Sequence, residues 1–256
     1  MMTATGTVLQ ASNLTKEYPS TDPPTPGITG VDLQVAAGEF LAVMGASGSG
    51  KSTLLQVISG MDHPTGGQVQ ISGQDLTALG DTQASRLRLT TIGFVFQQAH
   101  FLRNLSIRDN ILLPALKATP RRKKQVLARV DALLARFGIA DLADRAITEV
   151  SGGQLQRASI CRALVCEPEI VFADEPTGSL NSQTTREVMD ALTEVHADGT
   201  TLVLVTHDPT CAARAERVVY LRDGHLDAER TLGRWCPATA RDREGELLSW
   251  LTGLGF

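Results

Sequence analysis

The run Gly45-Ala46-Ser47-Gly48-Ser49-Gly50-Lys51-Ser52-Thr53 narrows what this chain can fold into more than any other stretch. It follows Phe40-Leu41-Ala42-Val43-Met44, an apolar run that reads as a buried strand, and precedes Leu54-Leu55-Gln56-Val57-Ile58, which meets no breaker before Gly60 and reads as a helix. Strand, glycine loop and helix together turn G-x-x-x-x-G-K-[ST] into a phosphate site rather than a Gly/Ser linker. The glycines let the backbone curl so that successive N–H groups point inward at an anion. The helix adds the positive end of its dipole. Lys51 can reach the β- and γ-phosphates of a nucleotide, and the Ser52 hydroxyl can ligate Mg²⁺.

Around this loop the chain reads as alternating strands and helices. Val8 to Leu14 and the alternating Val31-Asp32-Leu33-Gln34-Val35 predict strands, separated by a turn-rich loop from Pro19 to Gly27. Tyr18 lies just before that loop; such an aromatic can stack on a base, although packing at a strand end is its default. Gln68 to Ser72 predicts a short strand and Asp81 to Leu89 a polar helix. Ile92-Gly93-Phe94-Val95-Phe96 is an apolar strand ending at Gln97-Gln98, and ligands in α/β folds sit outside such strand ends.

From about residue 98 to 165 the pattern becomes helical, as in a lobe inserted into an α/β core. Ser106 is placed to cap a helix over Ile107 to Lys117, which Pro114 bends or ends. Arg121-Arg122-Lys123-Lys124 opens a longer helix with Val126, Val130, Leu133, Leu134 and Phe137 on one face. The basic run suits a solvated face better than a lipid or nucleic-acid contact. Ser151-Gly152-Gly153-Gln154 then starts another helix. Ser151 stands where an N-cap would, and the glycines leave backbone N–H groups uncovered, a second anion-binding terminus. One triphosphate wrapped by one glycine loop does not need it, which hints at a second site.

Ile170 to Ala173 is an apolar strand ending in Asp174-Glu175-Pro176. Asp174 is placed to hold Mg²⁺ through water. Glu175 is placed to orient or deprotonate an attacking water, and Pro176 is expected to keep Glu175 extended. A helix over Gln183 to His196 follows the Ser179-Leu180-Asn181 turn. The strand Thr201 to Val205 then ends at Thr206-His207-Asp208-Pro209, with Asp208 and Pro209 starting the next helix. His207 suits a γ-phosphate sensor, although a lone histidine by itself is more often structural. Val218 to Leu221 and the Gly224 turn predict a closing hairpin. In the tail, Trp235, Leu247, Leu248, Trp250, Leu251 and Leu254 fall at roughly helical spacing; packing on protein is the default over a dimer mate or a membrane.

Bulk properties remove several classes. A net charge of −4 over 256 residues disfavours a general nucleic-acid binder. The four cysteines, Cys161, Cys166, Cys211 and Cys236, form no C-x-x-C and predict reduced, buried thiols. Met1 to Gln10 lacks the charged and apolar regions of a signal peptide, and no apolar run approaches the ~18 residues that span a bilayer. Any membrane-spanning part is therefore expected on another chain.

Taken in order, these pieces resemble the ATP-binding cassette (ABC) ATPases over roughly Val8 to Asp227. The resemblance implies an α/β fold: a P-loop NTPase (RecA-like) core, an N-terminal antiparallel β subdomain and an inserted α-helical subdomain at about 98–165. It implies a nucleotide-binding domain over 1–230 and a C-terminal extension over 231–256. It assigns Tyr18 to adenine stacking, Gly45 to Thr53 to Walker A, and Gln97 to the Q-loop glutamine that contacts Mg²⁺ and water. Ser151, Gly152, Gly153 and Gln154 match the signature that closes over the γ-phosphate of an opposite subunit. Asp174 and Glu175 match Walker B and the catalytic carboxylate, and His207 the switch histidine. The family works as a head-to-tail dimer with two ATPs between its copies. Val150 stands where leucine is usual, and Asn181 where Asp is usual; Asn keeps the hydrogen bonding and loses the charge.

Gly93 to Gln98 and Asn104 to Pro114 resemble the branch of macrolide-export, lipoprotein-release and peptide-antibiotic-resistance ATPases. The implied protein is a cytoplasmic ATPase, peripheral on the inner face of the cell membrane. Its implied cofactors are ATP and Mg²⁺, and its partners a second copy and an integral membrane permease with a large extracytoplasmic domain. No nucleic acid is expected. Export or mechanotransmission is the implied task. The alternative is a regulatory ATPase that transports nothing and signals through a membrane partner to a cell-surface enzyme. A soluble member acting on DNA or ribosomes would carry coiled coils or tandem cassettes, and this chain has neither.

Overall fold

The computed structural model describes residues 6–19 and 25–256. In chain order the strands are β1 (Thr7–Tyr18), β2 (Thr25–Ala36), β3 (Phe40–Met44), β4 (Gly66–Ile71), β5 (Gln74–Asp75), β6 (Ile92–Phe96), β7 (Ile170–Asp174), β8 (Thr201–Val205), β9 (Arg217–Arg222) and β10 (His225–Thr231). The helices are α1 (Lys51–Ile58), α2 (Asp81–Thr91), α3 (Ile107–Ala118), α4 (Lys123–Arg136), α5 (Gly152–Leu164), α6 (Ser182–Ala197), α7 (Pro209–Ala212) and α8 (Ala240–Gly253). They group into two compact units: Met1–Ala84 with Thr201–Phe256, and Ser85–Thr200.

The first unit holds an antiparallel sheet in the order β2-β1-β4-β5. Pairs such as Leu9↔Val35, Ala11↔Leu33 and Leu14↔Val31 put alternate residues on one buried face. β1 runs past its expected end at Leu14 because the pairing shifts register there, at Asn13 with φ 47°; a bulge bends a strand without ending it. β2 begins at Thr25, so the anticipated turn-rich loop loses its last residues to the strand, and residues 20–24 lie outside the described residues. In the same unit β3 pairs in parallel with β8 and β9. All five residues of β3 are 0% exposed, the continuous apolar run of a strand covered on both faces. β9 and β10 form a hairpin turned by Asp223 and Gly224, both at positive φ, as a two-residue primed turn requires. The tail packs within its own unit: Leu247 and Leu251 of α8 are 0% exposed.

The second unit is built on the parallel pair β6 and β7, with Phe94 stacked on Phe172 at 5.9 Å. α5 lies against β6 so closely that a Cβ on Gly93 would come within 2.7 Å of the Ala163 carbonyl. Ser106 caps α3 by accepting from the Asp109 N–H at 3.1 Å. Pro114 does not end this helix, which continues to Ala118. Burial of Ile107, Ile111 and Ala115 outweighs the single hydrogen bond that proline removes. α4 buries Val126, Val130, Leu133 and Leu134 on one side, and Arg121 to Lys124 are exposed. The cysteines are free thiols, but not all are buried: Cys166 is half-buried and Cys236 exposed, because Cys236 sits in the connection between β10 and α8 rather than in either element. Burial pushes the Cys161 thiol up to about 12, which removes it as a nucleophile.

Candidate functional site

In the first unit, β3 runs directly into the glycine loop, and α1 starts at Lys51. Gly45, Gly48 and Gly50 have φ of 154°, 80° and 99°. Two of them are also demanded by space. A Cβ on Gly45 would collide with the Leu221 carbonyl and lie 2.6 Å from Ser49 Oγ. A Cβ on Gly50 would collide with the Gly27 carbonyl. The cradle is thus closed from outside by β9 and β2, and the β9–β10 turn adds a strut: Gly224 N–H donates to Ser49 O at 3.0 Å.

Lys51 is buried and its ammonium spans the loop, donating to Gly45 O and Ala46 O at 2.8 Å each. Ser47 and Ala46 are exposed at the rim, as are Ser52 and Gly48. Ser49 Oγ is a buried hydroxyl without a hydrogen-bond partner among the described residues. A glycine-lined cradle at a helix N-terminus, with a cation and an orphan hydroxyl, fits a polyphosphate. Tyr18 joins it: its hydroxyl lies 3.3 Å from Thr53 Oγ1, and a Cβ on Gly27 would touch its ring edge at 2.9 Å. The ring is half-buried, with Lys16 Nζ 5.3 Å from its centroid.

His207 belongs to the same edge. Val43 of β3 pairs with Val205 of β8, and Thr206 N–H donates to Val43 O at 3.2 Å. Two residues beyond that pair the strands reach Gly45 and His207 respectively. His207 is exposed. The next residue, Asp208, caps α7 by accepting from Thr210 N–H at 2.8 Å.

In the second unit, Phe96 of β6 pairs with Asp174 of β7, so Gln97 and Glu175 are the next residues on adjacent strands. Both lie beside Gly178: a Cβ there would come within 2.8 Å of Gln97 Nε2, and Gly178 N–H donates to Glu175 O at 3.1 Å. Glu175 is not extended. Its φ is 45°, and Pro176 instead occupies the second place of the turn that Glu175 and Gly178 close. The proline excludes the right-handed helical region for Glu175, and the turn selects the left-handed one. Gln97 and Asp174 offer amide and carboxylate oxygens, and Ser52 of the first unit offers a hydroxyl; each is a hard donor of the kind Mg²⁺ takes. No group of three or more His, Cys, Asp or Glu that could hold a metal occurs among the described residues.

Ser151 and Gln154 form a reciprocal cap at the start of α5: Gln154 N–H donates to Ser151 Oγ at 3.3 Å, and Ser151 N–H to Gln154 Oε1 at 2.8 Å. Gly152 and Gly153 are the first two residues of α5, so their N–H groups have no acceptor within the helical ladder. A Cβ on Gly153 would run into Thr184 Cγ2 in the first turn of α6, where Asn181 accepts from Thr184 N–H at 3.0 Å. Asn181 therefore caps α6 without needing a charge. Gly153→Ala is expected to cost about 1–3 kcal/mol by overpacking. Adding Thr184→Ser, which removes Cγ2, should restore most of it; unchanged denaturant midpoints in the single variant would refute this packing.

Sequence reasoning missed the side chains that hold these pieces. Gln156 is 3% exposed, and its Nε2 donates to the Phe96 carbonyl at 2.8 Å, just before Gln97. Asn110 is 4% exposed; it accepts from Leu102 N–H at 2.7 Å and donates to Ser106 O at 2.9 Å. Arg162 lies over the Phe101 ring at 4.5 Å, and burial lowers its guanidinium to about 10. Polar residues on inward helix faces were the available signal.

A family model described as ABC transporter matches residues 28–178. The macrolide export ATP-binding/permease protein MacB of Rhodopseudomonas palustris is 43% identical over 227 residues, 89% of this chain and 34% of that protein. One from Paracoccus denitrificans is 42% identical over 85% of this chain and 32% of its own length. The chain thus spans about a third of these relatives. Among solved structures, the dimeric ATP-binding cassette MJ0796, in a post-hydrolysis state bound to ADP and Pi, matches with a TM-score of 0.82 and 35% identity, over 89% of this chain and all of that one. The cbiO1 protein of Clostridium perfringens, part of the cbiONQ ABC transporter complex, matches with a TM-score of 0.78 and 28% identity, over 88% of each chain.

Proposed function

The chain belongs to the ABC transporter ATPase family, and from that premise we propose that it powers a membrane permease by ATP-driven, head-to-tail pairing of two copies. ATP hydrolysis is the family's activity. The observation that carries the reading is the closed glycine cradle with Lys51 folded across it.

In this reading the α1 terminus and Lys51 hold the β- and γ-phosphates, and Tyr18 stacks on adenine. Ser52, Gln97 and Asp174 would hold Mg²⁺, which offsets phosphate charge when bound. Glu175 takes the proton of the attacking water, and His207 steadies the γ-phosphate. Gly152 and Gly153 present their free N–H groups to the γ-phosphate of the opposite copy. Catalysis of this kind is mostly positioning and charge compensation.

Residues 1–230 then act as the nucleotide-binding domain, with a helical part at about 98–165 and an extension over 231–256. No helix among the described residues is long and apolar enough to cross a membrane. The permease, on a separate chain and with a large extracytoplasmic domain, is the proposed membrane partner and holds the ATPase to the inner face. The relatives are macrolide exporters by name, which supports export over mechanotransmission. Reconstitution with the permease in vesicles is the test. ATP-dependent substrate movement that stops with vanadate or in hydrolysis-dead variants supports transport. Intact ATPase activity with no movement would reject transport in favour of regulatory signalling.

A further inference from the structure

Arg243 is a charged side chain buried to 8% exposure on α8. It sits on the same helical face as Leu247 and Leu251, four and eight residues on, both 0% exposed. A guanidinium carries five N–H donors, and here each one has a backbone carbonyl. Nε donates to Ala213 O at 2.7 Å. Nη1 donates to Leu232 O at 2.8 Å and Arg234 O at 3.3 Å. Nη2 donates to Gly233 O at 2.7 Å and to Ala215 O. An apolar side chain of similar volume would take all five donors from these carbonyls, and it could not set direction. Five planar donors fix where those carbonyls lie.

The carbonyls of Ala213 and Ala215 lie at the C-cap of α7 and in the turn just after it. Ala213 N–H donates to Pro209 O at 2.9 Å and Ala215 N–H to Ala212 O at 3.0 Å, and the three alanines 212, 213 and 215 are buried. α7 has four residues and starts directly after His207-Asp208. His207 is thus suspended between two anchors. On one side Thr206 N–H is tied to Val43 O; on the other, α7 is tied to Arg243. The residues that follow α8 bear on the phosphate loop's outer wall. Arg222 donates to Leu254 O, and Phe256 meets Tyr220 edge-on at 6.4 Å. Tyr220 and Leu221 are the β9 residues beside Met44 and Gly45.

We propose that α8 is a brace for the nucleotide-facing edge of its unit, and that Arg243 is a positioning residue for His207. The proposal rests on the reading of His207 as the residue that faces the γ-phosphate.

The test uses the full chain and steady-state ATP turnover, well below the melting point of each variant. Arg243→Met is expected to lower kcat about tenfold with KM for ATP within about twofold. Arg243→Lys, which keeps the charge and up to three of the five bonds, should fall between it and wild type. In a His207→Ala background, Arg243→Met should lower kcat no further, because the brace acts through the histidine. Wild-type kcat in Arg243→Met overturns the proposal, as does an equal fractional loss in the His207→Ala background. If Arg243→Met does not fold, a wild-type kcat in Arg243→Lys overturns it and a fall that vanishes without His207 upholds it. Unchanged turnover in His207→Ala alone rejects the histidine's role and the brace with it.

Discussion

Glu175→Gln is expected to bind ATP and assemble into stable pairs while turning over at least ~10²-fold more slowly, the scale of a lost general base. The substitution keeps size and hydrogen-bonding shape and removes only the basic oxygen. Glu175 is held by its own turn, with Gly178 N–H on its carbonyl at 3.1 Å, and by the β7 ladder through Asp174. Its φ of 45° is set by Pro176 and the turn, neither of which the variant changes. Light scattering with ATP and Mg²⁺ should therefore report a dimer, and phosphate release should be near background. A variant that stays monomeric under saturating ATP removes the shared-site reading. One that hydrolyses normally removes the base assignment.

Lys51→Ala should act earlier in the cycle. Charge-assisted hydrogen bonds are each about 1.5–3 kcal/mol, so loss of the ammonium predicts ATP affinity weaker by ~10²-fold or more. The variant also strips the loop of an internal tie, since Gly45 O and Ala46 O both accept from Lys51 at 2.8 Å. Fluorescent-nucleotide titration separates this from Glu175→Gln: affinity collapses in one and turnover in the other. Affinity within threefold of wild type would count against the cradle as the phosphate site.

The placement of these two residues was legible because their information is local. A strand, a glycine loop with a lysine, and a strand ending in carboxylates need only neighbours to be recognised. The caps at Ser106, Ser151 and Asp208 were legible for the same reason: each acceptor and its N–H donor lie two or three residues apart. What failed depended on distant pairing. β1 continues because β2 and β4 accept a register shift at Asn13. Glu175 leaves the extended region because a turn claims it. Arg243 was visible only as a charge on the apolar face of Leu247 and Leu251. Its five acceptors come from two segments, 213–215 and 232–234, which no spacing rule connects to it.

The reciprocal cap of Ser151 and Gln154 has a consequence for timing. Because α5 finishes its own first turn, the two glycine N–H groups stand ready before any visitor arrives. In the proposed dimer an incoming phosphate would meet a helix terminus already formed and would spend nothing on ordering it. The proposed grip between copies would then switch on abruptly with nucleotide rather than grow with gradual coil-to-helix conversion. Ser151→Ala should blur that threshold, leaving a terminus that takes shape only under its guest.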